Sequence, residues 1–174
     1  INLLFLFRMK IYFFFFILII TGTIVYSQKD STQAPYKRFP IFPPVKLLLP
    51  DSSSYFTKKN LKKKSAVMLM IFNPGCEYCR LETEATIKHI GEFKHFQIIM
   101  ATVMPFDSML SFREEYKLTQ YDNIVVGQDI HFFLPTFYRI SNLPFLAFYN
   151  KKKELISVFE GSMPVEKALK ELKK

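Results

Sequence analysis

The sequence predicts an α/β fold, a central mixed β-sheet flanked by helices, from three observations. Ala66-Val67-Met68-Leu69-Met70-Ile71-Phe72 is an uninterrupted apolar run stopped by Asn73-Pro74-Gly75; strand-like and helix-like segments alternate after it; and the chain closes with a hairpin and an amphipathic stripe. A run of this length, apolar at every position, suits a strand buried on both faces better than a short helix. It is expected at the sheet centre, and the terminal hairpin makes the sheet mixed.

Composition sets the outer limits. At 174 residues, 49% hydrophobic and 22% charged, the chain has room for one domain with a true core, which excludes a wholly disordered protein and argues against a two-domain enzyme. It carries 24 basic against 15 acidic residues, formally +9. The lysine runs at Lys58-Lys59, Lys62 to Lys64 and Lys151 to Lys153 lack the arginines and interleaved aromatics of nucleic-acid readout, so they read as solvated loop charge and nucleic acid is not an expected partner.

At the N-terminal end, residues 11–20 are apolar throughout, preceded by Arg8 and Lys10 and followed by Thr21, Gly22 and Val25-Tyr26-Ser27. This is the layout of a secretory signal peptide cleaved after Ser27, with Met9 as a normal initiator and residues 1–8 as upstream read-through. Cleavage lowers the formal charge from +9 to +7. The alternative is an uncleaved membrane anchor, although Ile11 to Val25 falls short of the roughly 20 residues that span a bilayer. No Cys follows the run, which argues against a lipoprotein anchor. Domain organisation is read as a leader over 1–27, a proline-rich extended lead-in over 28–44 and a folded domain over 45–174.

Half of the ten prolines fall between residues 35 and 50, so that stretch is expected to hold neither helix nor central strand. Asp51 to Ser54 reads as a turn and Lys58 to Ser65 as a polar connection. After Cys76 the pattern turns helical through Leu81 to Phe93. Phe96 to Met104 is a second buried strand, and Asp107 or Ser108 is the expected cap of a helix with Met109, Phe112 and Tyr116 near one face. Asn123 to Gly127 is a short third strand, whereas Asp129 to Ile140, interrupted by Pro135, has no clear assignment. Phe145–Tyr149 and Leu155–Phe159 form the hairpin, and Val165, Ala168, Leu169 and Leu172 form the stripe of a last helix.

Chemistry is concentrated in Cys76-Glu77-Tyr78-Cys79, whose cysteines are the two in the chain. A Cys-x-x-Cys after a buried strand and at the first turn of a helix places Cys76 where free backbone N–H groups and the helix dipole stabilise a thiolate. Cys79, one turn on, is placed to attack a mixed disulfide formed at Cys76.

With Phe72-Asn73-Pro74-Gly75-Cys76-Glu77-Tyr78-Cys79-Arg80-Leu81-Glu82, Leu143-Pro144 and Phe159-Glu160-Gly161, the sequence resembles the thioredoxin-like superfamily. Within it, the likeness is to exported thiol-disulfide oxidoreductases of the TlpA/ResA type, over residues 45 to 174. The resemblance implies a cis-proline at Pro144 beside the redox pair, with Leu143 offering backbone hydrogen bonds to an extended client segment. Pro135-Thr136 imitates that motif, but only Pro144 directly precedes a strand-turn-strand. It also implies a role for Glu82, three residues after the second cysteine, as a modulator of the pair or a proton acceptor for Cys79. No cofactor is implied; the partners are client proteins with disulfides and a dithiol electron donor, which the resemblance suggests is membrane-borne.

Two departures stand out. Gly75 replaces the Trp that most relatives carry before the first cysteine, and Glu84 replaces a Pro found in many, so client preference does not transfer. Glu77 beside Cys76 opposes the thiolate by like-charge repulsion, which favours a reductant. Tyr78, between the cysteines, is either a client contact or exposed filler. The competing readings are a thioredoxin-fold binding module without turnover, and a zinc site joining Cys76 and Cys79 to His89 and His95. The latter spacing is short for a finger, and a continuous helix carries His89 about three turns from the cysteines.

Overall fold

Proline-punctuated chain opens the domain, and it is more structured than its composition predicts. The computed structural model describes residues 33–174; the expected leader and its cleavage point lie outside the described residues. A one-turn helix α1 (Pro35–Arg38) has Pro35 at its first position, where the missing N–H has no helical partner to lose. The chain then forms a hairpin from β1 (Lys46–Leu48) and β2 (Tyr55–Thr57). Its turn is held by Asp51, whose Oδ1 accepts the backbone N–H groups of Ser53 and Ser54 at 2.9 and 2.8 Å. Thus residues 35–50 are not wholly extended, contrary to expectation.

The domain continues with β3 (Val67–Ile71), α2 (Glu77–Lys88), α3 (Ile90–Phe93), β4 (Gln97–Thr102) and α4 (Phe106–Glu115). It ends with β5 (Ile124–Gln128), α5 (Phe133–Tyr138), β6 (Phe145–Tyr149), β7 (Leu155–Glu160) and α6 (Val165–Leu172). The sheet has seven strands in the order β2-β1-β5-β4-β3-β6-β7. Central β3 pairs in parallel with β4 and antiparallel with β6, so Leu69 lies between Ile99 and Ala147. The expected mixed sheet is therefore present, enlarged by the β1–β2 hairpin. That addition needs Gly127: a Cβ there would lie 2.8 Å from the Cβ of Leu47, closer than two carbons approach.

The period-two alternation of β3 divides the core. Met68 and Met70 face a cluster with Ile98, Met100, Met109, Phe112 and Leu169, under α2, α4 and α6. Val67, Leu69 and Ile71 face a second cluster with Phe42, Leu47, Phe137, Tyr138 and Tyr149. All five β3 side chains are at most 3% exposed, each contributing about 1.5–3 kcal/mol by burial. Phe42, expected in the extended lead-in, is fully buried.

Other differences are local. The helix expected through Phe93 breaks at His89, leaving α3 as a separate turn. Pro105, rather than Asp107 or Ser108, is the cap of α4. The unassigned Asp129–Ile140 segment contains α5, where Pro135 sits in the first turn and needs no N–H partner.

Candidate redox site

Strand β3 ends where Pro74 denies a further ladder N–H, and Asn73 organises the turn that follows. Its Oδ1 accepts the N–H of Gly75 at 2.8 Å and its carbonyl accepts that of Cys76 at 3.0 Å. This delivers Cys76 to the N-cap of α2, with extended backbone and no side-chain cap. The thiol is half-buried, and its Sγ donates to the carbonyl oxygen of Leu143 at 3.9 Å. Arg80 steadies the turn from behind: it donates to the Pro74 carbonyl at 3.4 Å, is ion-paired with Glu115 and lies over the Tyr116 ring.

Cys79 is one turn further and fully buried. Both cysteines are free thiols. Burial, reinforced by a hydrogen bond and charge interaction with Cys76 and by the charge of Glu82, pushes the Cys79 thiol up to about 12. The buried stripe of α2 is Cys79, Glu82, Thr83 and Thr86, an unusually polar set at helical spacing; Thr83 Oγ1 donates to the Cys79 carbonyl at 2.8 Å.

Glu82 is 3% exposed, and its Oε2 accepts the backbone N–H of Met163 at 2.8 Å. Burial raises its carboxyl above the ordinary range despite that bond. Glu77 and Tyr78 lie in the first turn on the open side; Glu77 is exposed, and Tyr78 is 63% exposed.

Across the site, the Leu143–Pro144 peptide bond is cis. Pro144 is buried and Leu143 half-buried; among the described residues nothing accepts the Leu143 N–H. Pro135 lies instead within α5. The structure thus brings Cys76, Cys79, Glu82 and Leu143 together and leaves Glu77 and Tyr78 at the rim.

A strap missing from the sequence reading completes the site. After β7, Gly161 adopts φ +94°, a left-handed conformation that favours glycine, and donates its N–H to the Pro144 carbonyl at 2.8 Å. Ser162 Oγ then donates to the Tyr78 carbonyl at 3.0 Å, and Met163 reaches Glu82. Phe159-Glu160-Gly161 marked this place in the sequence, but backbone donors carry no residue signature. Asn142 fixes the other side through Glu160, donating its backbone N–H at 2.8 Å.

The zinc arrangement does not assemble. His89 caps the far end of α2 and pairs with Glu92 at 2.8 Å, and among the described residues no three His, Cys, Asp or Glu side chains form a metal-holding group.

No protein-family model and no curated protein matches this sequence. Solved structures do. A secreted disulfide oxidoreductase of Mycobacterium tuberculosis, homologous to E. coli DsbE, is 15% identical with a TM-score of 0.62, covering 75% of this chain and 95% of its own. StoA from Bacillus subtilis is 17% identical at TM-score 0.57, covering 74% and 97%. The exposed lipoprotein thioredoxin Etrx1 of Streptococcus pneumoniae is 22% identical at TM-score 0.56, covering 73% and 98%. With its mixed sheet, the Cys-x-x-Cys at the start of α2 and these structural likenesses, the chain has the thioredoxin-like fold.

Proposed function

We propose that this protein is an exported thiol-disulfide oxidoreductase that reduces disulfides in client proteins. The observation that carries the reading is the asymmetric pair: an accessible Cys76 against the Leu143 carbonyl, with a buried Cys79 beside the buried carboxylate of Glu82. The Cys76 thiolate attacks one sulfur of a client disulfide, forming a mixed disulfide and releasing the other sulfur as a thiol after protonation. Cys79 then loses its proton and attacks Cys76 Sγ, forming the Cys76–Cys79 disulfide and releasing the second client thiol. Two electrons pass to the client, and a partner dithiol restores the pair.

A thiol held up to about 12 is almost wholly protonated at neutral pH, so the second step needs a local base. Glu82 is our candidate for it, supported by its position one turn away, its burial and its raised proton affinity. Leu143, through its free N–H and its carbonyl, and Pro144 form the edge against which an extended client segment lies, and Tyr78 is a rim contact. An unstabilised Cys79 thiolate favours the reducing direction. The secreted, DsbE-like and lipoprotein descriptions of the structural neighbours, together with the apolar run at 11–20, support export.

Trapping tests the mechanism. With a disulfide-bearing substrate protein, Cys79→Ser should accumulate a mixed disulfide at Cys76, visible as a mass adduct, whereas Cys76→Ser should form none. Adduct formation or turnover by the Cys76→Ser protein would refute the scheme. A titration in thiol-disulfide buffers checks direction: a two-thiol transition near roughly −270 mV marks a donor, one near roughly −120 mV an oxidant.

A further inference from the structure

Three lysine runs far apart in sequence end at one pole of the fold. Lys62–Lys64 precede β3, Lys151–Lys153 make the β6–β7 turn, and Lys173-Lys174 follow α6. Cys76 follows the other end of β3 and Leu143 leads into the other end of β6, so this pole lies a strand length, about 16 Å, from the cysteine end.

Here a cavity of about 670 Å³ opens, lined by Lys64, Lys151, Lys152, Lys173, Lys174 and His95, with Ala66, Phe96 and Leu172 as its apolar part. No carboxylate side chain lines it. The nearby acids are occupied: Glu171 by Lys174 at 2.7 Å and Ser157 at 2.6 Å, Glu154 by Asn150 at 2.8 Å. Among the described residues, Lys64, Lys151, Lys152 and Lys173 have no ion-pair partner.

Two of the loops that carry them are cross-linked. Lys153 Nζ donates to the carbonyls of Lys62, at 2.9 Å, and Ser65, joining two of the runs. Ser65 Oγ donates to the His95 carbonyl at 2.9 Å, and Asn150 Oδ1 accepts the N–H groups of Lys152 and Glu154 at 2.9 and 3.0 Å. Four ammonium groups without a direct ion-pair partner therefore line one concave space, and a bound anion would relieve their mutual repulsion.

We propose that this cavity binds a phosphate-bearing anion with an apolar body. A phosphate offers oxygens in several directions to several ammonium groups at once, which a single carboxylate does not. The apolar part of the lining accommodates the remainder, and the volume falls within the range of small-molecule sites. The site is separate from the cysteines and does not depend on the exchange reaction.

Calorimetric titration of the full chain at 0.15 M salt tests this with two probes, phenyl phosphate and dihexanoylphosphatidylglycerol, against the net-neutral dihexanoylphosphatidylcholine. At least one anionic probe should bind at one site per chain. The Lys64→Gln, Lys152→Gln, Lys173→Gln triple variant should weaken it at least tenfold. The Lys37→Gln, Lys88→Gln, Lys117→Gln variant, of equal net charge and altered elsewhere, should change it less than twofold. Tighter binding of the lipid assigns a membrane headgroup, and tighter binding of phenyl phosphate a soluble ester. Binding of neither anion, equal weakening by both variants, or equal affinity for the neutral lipid overturns the proposal.

Discussion

The two faces of the sheet bury polar groups in different ways. Under α2 the buried groups are Cys79, Glu82, Thr83 and Thr86, two of which, the thiol and the carboxyl, are titratable. On the opposite face, Tyr138 and Tyr149 pair their hydroxyls inside an aromatic cluster with Phe42, Phe137 and Phe145. Burial and mutual contact hold Tyr138 ionisation well above the ordinary range, and burial does the same for Tyr149, so that pair stays neutral and acts by packing. Glu82 and Cys79 are one step from solvent chemistry through half-buried Cys76. Equal burial thus leaves a neutral, packed pair on one face and, on the other, the two titratable groups on which the proposed exchange rests.

Cys76→Ser gives the largest expected difference between the faces. Turnover falls to background, while thermal stability stays close to that of the parent, since the side chain is half-buried and similar in size. Retained turnover would remove the distinction.

Glu82→Gln comes next, with resolution of the mixed disulfide slowed about 10²-fold in stopped-flow measurements, the usual contribution of a positioned base. The amide still accepts the Met163 N–H, so position is kept while the proton site is lost. The pH dependence separates this from a structural role. Burial raises the folded-state pKa of Glu82, so the folded protein holds that proton to higher pH than the unfolded chain. The associated stability is full below the ordinary glutamate range and is lost as pH rises through the raised value. Parent melting temperature should fall across that window, a slope that Glu82→Gln should abolish; an unchanged slope places the titration elsewhere.

On the opposite face, Tyr149→Phe leaves the buried Tyr138 hydroxyl without its partner, and denaturant unfolding should show a loss of about 1–3 kcal/mol. The double variant with Tyr138→Phe should recover most of it, with turnover unchanged throughout. Tyr78→Ala should have the smallest effect, a few-fold rise in KM for a protein client with kcat and stability unaltered, because the ring is 63% exposed at the rim.

Residues 66–72, the cysteine motif at the head of α2, the closing hairpin and the stripe of α6 were legible in sequence because each is a local pattern. Periodicity, chain breakers and adjacent spacing decide them within a dozen residues. The β1–β2 hairpin and α1 were not, since short strands and one-turn helices have too few positions to show a period; they form because Phe42, Leu47 and Phe56 find a core to enter. Nor was the polar buried face of α2 visible, because its thiol, carboxyl and hydroxyl groups look solvent-facing until the strap from Met163 covers them.

By itself, then, the sequence determined the alternating architecture and the identity of the candidate redox pair. Tertiary structure alone decided which sulfur is open and which is buried, that the Leu143 carbonyl faces Cys76, that a backbone N–H 81 residues away holds Glu82, and that three lysine runs share one cavity. Those facts depend on strand order and register, which bring distant segments to the same end of the sheet, and no local pattern encodes them.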